Sequence, residues 1–117
     1  MGYVYYGRYL EYFEAARTEL IRSFGFTYRE MEESGVMLPV IHSEVEYKSP
    51  VLYDELIHIK VLIYDKPEVR LQTFYEITSG DSDKIHALGE VTLVFMNSET
   101  RKPMRAPDQF LKGIDQL

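Results

Sequence analysis

At Gly35 the hydrophobic period of this chain changes from that of a helix to that of a strand, and it does not change back until close to the C-terminus. Before that point Tyr9, Leu10, Phe13, Ala16, Leu20, Ile21 and Phe24 recur every three or four residues and predict one apolar helix face. Glu11, Glu14, Thr18 and Arg22 fall mostly on other faces, and Gly25 is the expected stop. Thr27-Tyr28-Arg29-Glu30 is a capping box that opens a short second helix ending near Ser34-Gly35. Beyond Gly35, Val45 and Tyr47 alternate with Glu44, Glu46 and Lys48, and Ile57, Ile59, Val61 and Ile63 with Leu56, His58, Lys60 and Leu62. Leu71, Thr73, Tyr75 and Ile77 alternate with Arg70, Gln72, Phe74 and Glu76. Residues Ile85 through Met96 read as a fourth long strand, with Gly89 as a bend or bulge.

The connections agree. Lys66-Pro67-Glu68 and Ser79-Gly80-Asp81-Ser82-Asp83 are hairpin turns, and Ser49 to Asp54 is a longer link. Asn97 to Pro103 turns into a last extended piece, and Pro107 starts a terminal helix carrying Phe110, Leu111 and Ile114. The pattern is α+β: a long helix, then four strands in a meander. One face of such a sheet must be covered, and only the first helix is long enough to do it. The whole chain, residues 1–117, is expected to be a single domain.

Composition removes several function classes. A net charge of -6 repels phosphate backbones, so nucleic acid is not an expected partner. No apolar run approaches the ~20 residues that span a bilayer, and no signal peptide is visible, so a cytoplasmic protein without membrane insertion is expected. The cysteine count is zero, which excludes disulfides, thiolate nucleophiles and cysteine zinc sites. His42, His58 and His86 lie on different strands, on the faces opposite the apolar ones, and are expected to face solvent or an interface rather than a metal.

Three motifs carry a family resemblance. The first is Gly2, Val4, Tyr5, Tyr6, Tyr9, then Phe13-Glu14 and Arg17-Thr18-Glu19. The second is Val45 through Leu56, reading VEYKSPVLYDEL. The third is Gly89-Glu90-Val91-Thr92-Leu93-Val94, with Arg101-Lys102-Pro103 and Pro107 after it. In order and spacing these resemble the 4-hydroxybenzoyl-CoA thioesterase-like family of hotdog acyl-CoA thioesterases, including its Tol–Pal-associated branch. The resemblance implies a hotdog fold, an antiparallel sheet wrapped around a central helix. It also implies a first strand and a catalytic Asp ahead of this chain, the Asp two residues before Met1.

The implied reaction is hydrolysis of a fatty or aromatic acyl-CoA to the free acid and coenzyme A, with no metal and no cofactor beyond the coenzyme A of the substrate. Such chemistry needs a carboxylate to attack or to activate water, and amide donors aimed at the developing oxyanion. A helix N-terminus offers unpaired N–H groups and a positive dipole end. By resemblance the backbone N–H of Tyr6 polarises the carbonyl, with Tyr5 beside it and Gly7 leaving room for the acyl group. Glu11, Glu14 and Glu19 are alternative carboxylates, but local helix pairs, Glu14 with Arg17 or Thr18 and Glu19 with Arg22, are the stronger reading of them. Arg101, Lys102 and Arg105 form the densest basic cluster and suit the coenzyme A phosphates. The open sheet predicts a homodimer or a tetramer. The rival class is a non-catalytic hotdog dimer that binds an acyl chain or coenzyme A without turning it over.

Overall fold

A computed structural model gives the architecture, and it describes residues 8–51, 56–80 and 84–117. Helix α1 spans Arg8–Ser23 and helix α2 spans Tyr28–Glu33. The strands are β1 Val36–Met37, β2 Val40–Tyr47, β3 Ile57–Leu62, β4 Arg70–Ser79, β5 Ile85–Val94 and β6 Met96–Asn97, followed by α3 Asp108–Asp115. The expected turns hold: Gly25 and Gly35 take positive φ, 94° and 93°, and the Thr27 hydroxyl accepts from the Glu30 N–H at 3.1 Å. Asp81, Ser82 and Asp83 of the second hairpin, and Leu52 to Glu55 of the second motif, lie outside the described residues.

The sheet is not the expected meander. Its order is β2-β5-β4-β3, all antiparallel, so β2 pairs with β5 across the sheet from its sequence neighbour β3. The alternation explains why. β5 is buried on both faces through Val91–Val94 and takes a central place. β2 and β3 carry Glu44, Glu46, His58 and Lys60 on exposed positions and take the edges. The predicted fourth strand is also interrupted. It breaks at Phe95, and Met96–Asn97 turns away to pair with β1 as a separate ribbon.

Helix α1 covers the inner face. Val45, Gly89, Tyr75 and Val61 form one row across the four strands, and Phe13 lies on that row, stacked on Tyr75 at 4.5 Å and 19°. Burying such a ring contributes about 1.5–3 kcal/mol. The predicted helix face needs two corrections. Leu10 is 44% exposed, and the buried line is Tyr9, Phe13, Arg17 and Ile21. That line has a strict four-residue step, which keeps one stripe toward the sheet and carries Leu10 off it. At the far end Phe110 of α3 meets Phe24, Phe26 and Phe95, closing the core. A helix laid across a curved antiparallel sheet is the hotdog arrangement the resemblance implied.

Candidate active site

The entrance of α1 meets the end of β2. The Tyr9 ring is buried 5.4 Å from the half-exposed Tyr47 ring and 6.2 Å from Tyr12. Tyr47 pairs with Ala87, and beside Ala87 the β4–β5 register slips by one: Ile77 faces Ala87, whereas Thr78 faces Ile85. His86 is the residue left over. The slip turns it inward, to 1% exposure, which corrects the expectation that it faces solvent. The bulge therefore falls at His86. Gly89, where it was expected, is in register in both ladders, and its hydrogen side chain makes room for Phe13.

Buried imidazole needs partners, and His86 has them. Ser49 Oγ lies 2.9 Å from Nδ1 and Ser79 Oγ 2.6 Å from Nε2. The His86 carbonyl accepts from the N–H groups of Lys48 and Ser49 at 2.8 and 3.1 Å. One residue thus ties the exit of β2 to the end of β4 and the start of β5. His42 and His58 are exposed as expected, His42 with Glu44 at 3.0 Å. Among the described residues no group of three or more His, Asp or Glu is placed to hold a metal.

A second polar network supports the helix. Arg17 Nη1 donates to Tyr75 Oη at 3.0 Å and Arg17 Nε to Tyr28 Oη at 2.9 Å. Thr73 Oγ1 lies 2.6 Å from Tyr75 Oη and donates to the Val91 carbonyl at 2.9 Å, so the phenol donates to Thr73. Burial works against the charge on Arg17, but Tyr28 and Tyr75 outweigh it and its pKa is raised. The expected Glu14–Arg17 pair is absent because the Arg17 side chain turns under the helix to these phenols. Glu11, Glu14 and Glu19 all stay on the exposed side of α1, Glu19 paired with Arg22. None of the three faces the sheet. Sequence reasoning missed the Arg17 network, although the four-residue step linking Phe13, Arg17 and Ile21 signals it.

Tyr5, Tyr6 and Gly7, the expected oxyanion segment, lie outside the described residues. Helix α1 begins at Arg8, directly after them. Arg101, Lys102 and Arg105 are exposed. Their turn is held by Asn97, whose Oδ1 accepts from the N–H groups of Glu99 and Thr100 at 2.9 and 3.0 Å. Arg101 sits in the left-handed region, φ 61°. The turn follows β6, whose ribbon with β1 lies beyond the Val40 end of β2, whereas α1 begins at the Tyr47 end. One protomer therefore keeps the basic cluster and the helix entrance at opposite ends of the sheet. An open cleft of about 500 Å³ lies on the outer sheet face against Glu44, Glu46 and Glu90. Three carboxylates there repel phosphate, so the cleft does not suit coenzyme A.

Similarity to known proteins agrees with this geometry. The chain is 42% identical over 65 residues to YneP of Bacillus subtilis, a candidate acyl-CoA thioesterase, covering 56% of this chain and 47% of that protein. It thus spans about half the length of that relative. It is 25% identical over 115 residues to the acyl-CoA thioester hydrolase YbgC of Escherichia coli, covering 98% of this chain and 85% of YbgC. The structure of a DHNA-CoA thioesterase from Staphylococcus aureus superposes with a TM-score of 0.87 at 28% identity, covering 99% of this chain and 79% of that one. A sequence model of one family matches residues 1–114, which is nearly the whole chain including the helix entrance and the basic turn. With that match and the helix-on-sheet core, the chain belongs to the thioesterase-like superfamily.

Proposed function

We propose that this protein hydrolyses acyl-CoA thioesters at the N-terminal end of α1. The observation that carries the reading is the seating of that helix: its first turn packs on the sheet through Tyr9 and Tyr47, so the positive end of the helix dipole has a fixed direction. In the reaction the thioester oxygen accepts from the Tyr6 N–H. The carboxylate that the resemblance places before Met1 attacks the carbonyl carbon or deprotonates a water that does. The C–O bond forms, the C–S bond breaks, and coenzyme A leaves as a thiolate that takes up a proton. When the carboxylate itself attacks, water then hydrolyses the resulting anhydride. The acyl group is fatty or aromatic, no metal takes part, and coenzyme A enters only as part of the substrate. Arg101, Lys102 and Arg105 hold its phosphates. The working unit is a homodimer or a tetramer of such dimers in the cytoplasm.

The test is thiol release by the full-length protein from acyl-CoAs of short, long and aromatic acyl groups. Turnover of any of them supports the reading, and Tyr6→Pro, which deletes the donor, should then lower kcat about 10²–10³-fold. A folded protein that binds coenzyme A and releases no thiol would sink the hydrolase reading in favour of a binding domain. Turnover untouched by Tyr6→Pro would sink the oxyanion assignment alone.

A further inference from the structure

We infer that His86 is a positioning residue for thioester hydrolysis: through Ser49 it fixes the exit of β2, and through Tyr47 and Tyr9 the direction of the first turn of α1. The inference rests on the functional reading above and adds to it a residue that touches neither the acyl group nor coenzyme A.

The starting point is the choice of imidazole at this place. His86 is fully buried between Ile85 and Ala87, where an aliphatic side chain would fill the space without the cost of burying polar atoms. What imidazole adds is a bond at each of its two nitrogens. Nε2 lies 2.6 Å from Ser79 Oγ at the end of β4, and Nδ1 lies 2.9 Å from Ser49 Oγ just past β2. The bond to Ser79 comes where the β4–β5 register slips, so it locks the ring against the sheet. The ring then presents Nδ1 to Ser49 from a fixed place.

That bond decides the twist of the β2 exit. Tyr47 and Ala87 are the last pair of the β2–β5 ladder. Past it the N–H groups of Lys48 and Ser49 both donate to one oxygen, the His86 carbonyl, at 2.8 and 3.1 Å. Two bonds that converge on one atom leave a pivot. The Ser49 side chain supplies a second point of attachment to the same residue and stops the pivot. Two residues on, Val51 is buried to 1% exposure and anchors the chain from the other side. Tyr47, two residues before Ser49, holds its ring 5.4 Å from that of Tyr9 in the first turn of α1. Twist at the exit is therefore passed to the helix entrance through two rings.

Four variants of the full-length protein test this. The amide of Asn reaches the place of Nδ1 and that of Gln the place of Nε2, and either amide offers a donor and an acceptor whichever ring nitrogen carries the proton. H86N keeps the tie to Ser49 and loses the one to Ser79, and H86Q does the reverse. S49A and S79A cut the same two ties from the other side and keep the imidazole, so the comparison stands where a His86 variant fails to fold. H86Q and S49A should lower kcat for acyl-CoA about tenfold with KM little changed, because the reacting groups lose alignment and the substrate contacts stay. H86N should restore most of that loss, and S79A should resemble it. A residue that only supports the core gives another order, in which kcat follows stability and H86N and H86Q fall together. Equal kcat in H86N and H86Q, or an unmoved kcat in S49A, overturns the inference. A second measurement needs no activity. Amide exchange at Tyr12 and Phe13, in the second turn of α1, should be several-fold faster in H86Q and S49A than in H86N and S79A. If exchange follows this order while kcat stays at the wild-type value in all four, the reaction lies elsewhere, and the functional reading fails and takes the positioning role with it. If neither exchange nor kcat follows the order in a protein that turns over acyl-CoA, the inference fails alone.

Discussion

A Cβ built on Gly89 would sit 2.2 Å from Cε2 of Phe13 and 2.4 Å from its Cζ. Phe13 is fully buried and stacked on Tyr75, so the ring has nowhere to retreat. The glycine in β5 therefore sets how closely α1 approaches the sheet. Gly89→Ala should destabilise the protein by about 1–3 kcal/mol through overpacking, read as a lower urea midpoint at unchanged slope. Shortening the ring with Phe13→Leu in the same chain should return part of that loss. Independent, additive effects of the two changes would show that this contact does not fix the spacing.

Arg17 lies on the buried stripe between Phe13 and Ile21 and bonds two phenols. Arg17→Ala would take the Arg17 donor from Tyr28 and Tyr75 and leave a cavity, costing about 3 kcal/mol. Arg17→Met fills most of the volume and removes the buried charge, so it should cost less, about 1–2 kcal/mol. Thermal or urea unfolding of the two variants decides it. Equal losses would mean that the bonds, not the volume, set the cost.

Tyr28 gives a pH signature. Burial raises its pKa above the ordinary 10.0, and Arg17 only partly opposes this. In the unfolded chain the phenol ionises near its ordinary value while the folded protein still holds the proton. The unfolded state then binds fewer protons, so stability falls as pH rises from about 10 toward the folded pKa. Tyr28→Phe should start less stable at neutral pH, having lost the bond from Arg17, and lose less on further alkalinisation. Parallel curves for the two proteins above pH 10 would contradict this.

Much of the fold could be read in the residues because each element satisfies its own period. The two glycine stops, the capping box and the inward set Leu71, Thr73, Tyr75 and Ile77 all stand where the sequence puts them. What could not be read depends on pairing. Which strand neighbours which is decided by relative burial across the finished sheet, and β5 wins the centre only in competition with β2 and β3. The inward turn of His86 follows from a one-residue register slip against β4, which no pattern within β5 records. The separation of the helix entrance from the basic turn follows from that strand order too, so the candidate site was legible as residues and not as a place.

His86 ties three segments through Ser49 and Ser79. Replacing it with Ala removes the imidazole bonds to two half-buried hydroxyls and opens a void, at a cost of about 2–3 kcal/mol. The loss should be local first. The amides of Lys48 and Ser49, which donate to the His86 carbonyl, should exchange with solvent faster than those in the centre of β5. Uniform acceleration across the sheet would show that His86 supports the whole core and not the β2 exit.

Arg101 makes the sharpest separation between stability and function. Its φ of 61° is unfavourable for any residue with a Cβ, while its N–H bonds the Asn97 carbonyl at 2.9 Å within a turn already pinned by the Asn97 side chain. A glycine fits that backbone without strain. Arg101→Gly should therefore hold or raise stability, by up to about 1 kcal/mol, because the turn keeps its backbone bonds and loses only an exposed side chain. If the side chain holds a coenzyme A phosphate, the same substitution should raise KM several-fold and make it less sensitive to salt, since one screened charge pair is gone. Thermal unfolding and the salt dependence of KM, measured on one preparation, give the two readings with opposite signs. A more stable variant with unchanged KM would leave Arg101 as turn geometry alone, and a destabilised one would refute the strain argument.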